Sequence, residues 1–138
     1  MKTRFLFSAS LRLRHPSMGA AEIVSIFGRE PKVAQSAHEP RMTRTGKVLP
    51  GRYECTYVVF PLDIDGYDFP DEFLSAHLAD AGSAEQLAIR RAVGAGCSVQ
   101  YFFGISCPGN SGFELSASLI EAVQKSSVSL SFDIYGHE

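Results

Sequence analysis

The chain has 138 residues, 45% of them hydrophobic and 20% charged, with a formal net charge of −2. That length fits one domain, residues 1–138, able to bury about two thirds of the surface its unfolded form exposes, and the composition is that of a globular protein rather than a disordered one. The slight acidity excludes a general nucleic-acid binder, which needs a basic face to neutralise phosphates, and no run reaches the roughly 20 apolar residues of a membrane span.

The opening stretch, MKTRFLFSASLRLRH, has the outline of a signal peptide, with Lys2 and Arg4 before an apolar patch. The patch is too short, and Arg12 and Arg14 follow it. Phe5, Phe7, Ala9, Leu11 and Leu13 alternate with mostly polar residues, which predicts a half-buried strand. Pro16 and Ser17 then supply a helix start. Ala20, Ile23, Val24 and Phe27 recur at the spacing of one helical face until Gly28 ends it.

Residues 28–52, GREPKVAQSAHEPRMTRTGKVLPGR, form a long polar segment in which Arg29, Lys32, Arg41, Arg44, Lys47 and Arg52 face only Glu30 and Glu39. The segment reads as a loop without secondary structure, and loops of that length in compact domains are usually functional. Tyr53 to Phe60, rich in aromatic and β-branched residues and bounded by Pro61, predicts the second strand. Residues 61–69 form an acidic turn region. Pro70, Asp71 and Glu72 suit the first turn of a helix whose Phe73, Leu74, Leu78 and Ala81 share a face, and Gly82 stops it. Ser83 with Gln86 makes a capping box for a further helix reaching about Val93.

In the third strand Cys97, Val99, Tyr101, Phe103, Ile105 and Cys107 lie on one face, opposite Ser98, Gln100, Phe102, Gly104 and Ser106. Turn residues Pro108 to Gly112 lead to a helix begun by Ser116 or Ser118, with Leu119, Ile120 and Val123 inward. The closing strand, Ser127 to Tyr135, sets Val128, Leu130, Phe132 and Ile134 against Ser129, Ser131, Asp133 and Tyr135. The expected architecture is therefore of α/β (α+β) type: a two-layer sandwich with a four-stranded sheet, helices on one face, and the order β-α-β-α-α-β-α-β.

The stretch Phe27 to Arg52, with Gly28, Glu30 and Pro31 and then Glu39, Pro40, Arg41, Thr43, Gly46, Leu49, Pro50 and Gly51, resembles the Gly-x-x-Pro loop and basic tract of the bacterial proteins grouped as DUF4279, a domain of unknown function. Leu130 to Tyr135, LSFDIY, is similar to that family's final strand, and the order of elements extends the resemblance over most of the chain. Such sequences commonly carry a tryptophan in the strand after the basic tract. This chain has Tyr57 and Val58 in that region and no tryptophan. The resemblance implies a fold and leaves the activity unassigned.

Chemistry-bearing clusters are few. Asp63, Asp65, Asp68, Asp71 and Glu72 offer carboxylates, but Gly66 and Leu74 break the calcium-loop spacing, so no metal is expected. His15, His38, His77 and His137 make no ligand pair, and His77 fits the edge of a helical apolar stripe. The three cysteines form no CxxC pair, and Cys97 and Cys107, about 33 Å apart along one strand at about 3.3 Å per residue, cannot bridge. No nucleophile motif and no phosphate loop is present, so no catalytic residue and no cofactor is assigned.

What remains is the open sheet face. Arg4, Arg12 and Arg14, Gln100, and Asp133 with Tyr135 point away from the predicted core. If the basic segment folds across that face, Arg12, Arg41, Arg44, Gln100, Asp133 and Tyr135 would form a recess for a carboxylate, a phosphate or an acidic peptide. The expected function is a cytoplasmic, non-enzymatic binding domain for a protein partner or small acidic ligand, with no role in nucleic-acid or membrane binding. Two alternatives stand beside it: an enzyme with Asp133 as base and Arg41 or Arg44 holding an anion, and an immunity-type partner of a toxin. Homodimerisation through sheet edges is a third arrangement, because an open sheet leaves two edges to protect.

Overall fold

The computed structural model describes residues 6–137. Arg4 and Phe5, assigned above to the opening strand, lie outside the described residues. Over the described residues the chain is a mixed α+β fold with four helices, a five-stranded sheet and a separate two-stranded hairpin. Among the described residues no helix is long and apolar enough to cross a membrane.

Strand β1 (Leu6–His15) lies at the centre of the large sheet, whose order is β2-β5-β1-β6-β7. It pairs antiparallel with β5 (Thr56–Leu62) and with β6 (Ser98–Pro108), while β7 (Ser129–His137) pairs parallel with β6. The parallel pair requires a crossover, which helix α4 (Ala117–Lys125) supplies. The remaining helices are α1 (Ala20–Phe27), α2 (Pro70–Ala79) and α3 (Ala84–Gly94).

The alternation in β1 sets the layering. Leu11 and Leu13 are fully buried beside Val58, Phe60, Val99, Tyr101 and Phe103 from the neighbouring strands. Ile23, Phe73, Leu74, Leu78, Ile89, Ala92 and Leu119 from the four helices complete the same cluster. Helices therefore cover one face, as the pleat requires. Phe7, Leu130 and Phe132 pack against this core and Val128 is buried within it, so the expected inward set holds for the described residues of β1 and for the closing strand as far as Phe132. Ile120 and Ile134 do not follow it, being 56% and 60% exposed. Ile120 sits about 100° round the helix from Leu119 and turns away from the sheet. Ile134 lies on an edge strand and pairs with Ile105 of β6 on its inner side.

The segment expected to be structureless is largely ordered into strands, and the sheet has five strands rather than four. Strand β2 (Val33–Gln35) adds to the free edge of β5, and β3 (Pro40–Met42) pairs with β4 (Val48–Arg52) in the hairpin. Gly46, at φ +88°, occupies the left-handed region the hairpin turn needs, and its N–H reaches Thr43 O at 3.0 Å. The Tyr53 backbone exchanges hydrogen bonds with His38 and Glu39 and its hydroxyl meets Met42 N at 3.1 Å, which closes the base of the hairpin, while Ala37 N donates to Thr56 Oγ1 of β5 at 2.8 Å.

Pro61 falls inside β5 instead of ending it. Lys32 N donates to Val59 O on the outer side, so Pro61, two residues on, also presents its backbone outward beyond the end of β2. No ladder bond is lost there, and Pro61 O accepts from the Arg29 guanidinium at 2.8 Å.

Candidate functional site

The register fixes what the open face displays. Arg12 lies between Val59 of β5 and Gln100 of β6, and Arg14 lies between Tyr57 and Ser98. Val33 and Gln35 of β2 continue these two rows beyond Val59 and Tyr57. One end of the open face thus gathers residues from β1, β2 and β5, and the β3–β4 hairpin stands beside it.

Both strand arginines are held by aromatic rings. The Arg12 guanidinium carbon lies 3.5 Å from the centroid of Phe102, and that of Arg14 lies 4.7 Å from the centroid of Tyr57. A guanidinium flat on a ring keeps its charge and its in-plane N–H donors while losing rotational freedom. Arg12 Nε is buried with no hydrogen-bond partner. Val59, opposite Arg12, is only 6% exposed although it belongs to the face without helices.

Three adjoining hollows follow from this arrangement. One of about 370 Å³ is lined by Arg14, Arg41 and Arg52 with Gln35, Tyr57 and Glu54. A second of about 440 Å³ runs between β2 and the hairpin and includes Lys32, Arg44 and Glu39. The third, about 390 Å³, contains Arg12, Lys32 and Phe102. Tyr57, Lys32, Gln35 and Tyr53 each border two of them, so the three form one surface.

Six cations line that surface: Arg12, Arg14, Lys32, Arg41, Arg44 and Arg52. The carboxylates are two, Glu39 and Glu54, in a chain whose net charge is −2. Among the described residues the salt bridges are Arg29–Glu85 and Lys125–Glu121, both elsewhere, so none of the six is neutralised by an acid. Arg41 and Arg52 contact only backbone oxygens, Pro50 O at 3.4 Å and His38 O at 2.6 Å.

The residues expected from sequence divide into two groups. Arg12, Arg41 and Arg44 join this surface, and Gln100 lies directly opposite Arg12 at its border. Asp133 and Tyr135 do not. Asp133 pairs with Gly104, four residues along β6 from the Gln100 that faces Arg12, or about 13 Å at about 3.3 Å per residue, and neither it nor Tyr135 lines any of the three hollows. There the Tyr135 hydroxyl donates to Asp133 Oδ2 at 2.6 Å, and this bond, together with the carboxylate charge, raises the phenol pKa. A single recess combining carboxylate, phenol and loop arginines is therefore not formed. Arg29 also departs from the basic set: its guanidinium sits over Phe60 and bonds Glu85 at 2.7 Å, on the helical side.

Sequence reasoning passed over Arg14, Lys32, Arg52 and Tyr57 as site members. Arg14 was legible as open-face, but its companion Tyr57 required the β1–β5 register, which nothing local in the chain specifies. His77 belongs to the core edge as its stripe suggests. The Tyr101 hydroxyl lies 2.7 Å from His77 Nδ1 and accepts from Gln86 Nε2 at 3.1 Å, while the same amide nitrogen donates to His77 O. Burial pushes the His77 pKa down, opposed by Glu85 and assisted by Arg29, and pushes that of Tyr101 up. His15 is also structural, with Nδ1 accepting from Ser17 N and Met18 N and Nε2 donating to Ala95 O. Among the described residues no cluster of His, Cys, Asp or Glu could hold a metal ion.

A smaller hollow of about 290 Å³ lies on the helical side between Leu78, Ile89 and Ala122. Its cations are engaged, Arg90 with Ala81 O at 2.7 Å and Lys125 with Glu121 at 2.9 Å. No family model matches the chain, and no curated protein and no solved structure matches it.

Proposed function

We propose that the chain is a non-catalytic binding domain that receives an acidic segment of a protein partner on the surface formed by β1, β2 and the β3–β4 hairpin. The observation that carries this reading is the concentration of six cations that, among the described residues, have no salt-bridged acid, in a chain that is acidic overall. Uncompensated like charges repel one another, and an anionic ligand relieves that repulsion while gaining charge-assisted hydrogen bonds. Arg14, Arg41 and Arg52 converge on one hollow, where guanidinium forks can meet carboxylates in pairs. The breadth of the surface over three hollows suits several carboxylates in series better than a single small ion.

The Phe27–Arg52 and Leu130–Tyr135 patterns support a DUF4279-like domain, and the proposed site draws most of its charge from the first of these. Titration of the protein with a short polyglutamate peptide, followed by amide chemical shifts, tests the reading. Shifts should concentrate in 12–14, 32–35, 41–57 and weaken with salt. Shifts confined to the helical side would refute it, as would tighter binding of a single-stranded oligonucleotide of equal charge.

A further inference from the structure

The two edges of the large sheet are built differently. The β2 edge is three residues long, begins next to Lys32 and borders the hairpin, all features that discourage pairing with a foreign strand. The β7 edge runs over Ser129–His137 and, among the described residues, pairs with β6 alone. Its Ser129–Tyr135 stretch, SLSFDIY, has no proline, lysine or arginine and one charged side chain, Asp133. Ile134 and Tyr135 are each 60% exposed on it.

We propose that β7 pairs antiparallel with β7 of a second copy of this chain, across a two-fold axis normal to the sheet, in the register centred on Phe132. Residues directly opposite in an antiparallel pair share a face. The core-facing Leu130, Phe132 and Ile134 must therefore meet one another, and so must the open-face Ser129, Ser131, Asp133 and Tyr135. This excludes every register whose axis falls between two residues. An axis at Asp133 sets the two carboxylates against each other, which is unfavourable. An axis at Ser131 leaves Ile134 facing Val128, which precedes the strand.

With the axis at Phe132, Leu130 meets Ile134 of the second copy, Ser129 meets Tyr135, and Ser131 meets Asp133. The Ser131 hydroxyl then donates to the opposing carboxylate, twice by symmetry. No like charges meet, and Ile134, left uncovered at the edge of each chain, gains an apolar neighbour. A second copy is the occupant because this edge complements itself in face and in charge. The product is a continuous ten-stranded sheet, five strands from each chain, with both helical layers on the same side and the basic surfaces at its two outer ends.

Sedimentation of the full chain over a concentration series tests the proposal, with the expected species at twice the chain mass. Ser131→Asp places two aspartates opposite two others and should weaken association about tenfold or more, whereas Ser131→Lys, facing Asp133, should preserve it. Hydrogen exchange of the unmodified protein gives a readout that needs no variant: amides of 129–135 should gain protection with concentration. A chain that stays monomeric, a dimer indifferent to Ser131→Asp, or exchange in β7 that ignores concentration would each overturn the proposal.

Discussion

Replacing Tyr101 by Phe removes one oxygen from the buried edge of the core. The side chain is fully buried, so no water stands ready to replace it. Gln86 Nε2 has two protons; one goes to His77 O at 3.0 Å and the other to the Tyr101 oxygen at 3.1 Å. The hydroxyl proton is then directed at His77 Nδ1, 2.7 Å away, which requires an imidazole unprotonated on that nitrogen. Tyr101→Phe deletes both bonds, leaving one Gln86 proton unpaired in a 5% exposed residue and His77 Nδ1 with only a 3.5 Å approach from Gln86. A buried polar group left without its partner costs about 1–3 kcal/mol, a large share of the roughly 5–15 kcal/mol typical of a domain. Urea unfolding should show a lower midpoint with an unchanged slope. A loss below about 0.5 kcal/mol would refute the assignment of this trio as a satisfied structural network.

Burial holds the folded His77 pKa below its ordinary 6.5, so as pH falls through 6.5 the unfolded chain takes up the proton first. Stability should decline from pH 6.5 downward until the lowered folded pKa is passed, and His77→Gln should flatten that slope in melts recorded across the range. Thiol labelling should modify Cys55 first, because Cys97 and Cys107 are buried and burial raises the Cys97 pKa; equal rates for all three under native conditions would contradict the packing. Arg12→Ala removes the stack on Phe102 and uncovers Val59, and should lower stability by about 1 kcal/mol in chemical denaturation. Gly46→Ala forces a side chain into φ +88° and should increase amide exchange in 40–52 while leaving the main sheet protected.

The helices and the four long strands were legible because periodicity is a local property: Leu11, Leu13, Tyr101 and Phe103 announce their face without reference to partners. Ser83 and Ser116 likewise act as N-caps, accepting from Gln86 N and Leu119 N. Strand β2 was not legible, since VAQ has little β-forming character of its own and is a strand only because Val59 and Tyr57 offer an open edge. The hairpin was hidden for a related reason. Pro50 and Gly51 are poor strand formers at the end of a segment that reads as a loop, yet they lie within β4 on an exposed two-stranded ribbon that tolerates them. The same gap divided the expected site: alternation placed Arg12, Gln100, Asp133 and Tyr135 on one face correctly, but distance along that face depends on register and strand order. Arg12 and Gln100 turned out adjacent, and Asp133 lies near the far end.

The central claim is that the convergence of Arg14, Arg41 and Arg52 binds acidic polypeptide. Fluorescence anisotropy of a labelled polyglutamate peptide, with the unmodified chain and with Arg14→Ala, Arg41→Ala and Arg52→Ala combined, measures it most directly. Arg14, Arg41 and Arg52 are exposed and among the described residues make no salt bridge, so the variant should stay folded, with the lost Arg14–Tyr57 stack costing about 1 kcal/mol or less. At about 0.5–1 kcal/mol for each exposed charge, affinity should fall roughly 10- to 150-fold and its salt dependence should diminish. Unchanged affinity in a folded triple variant would contradict the account.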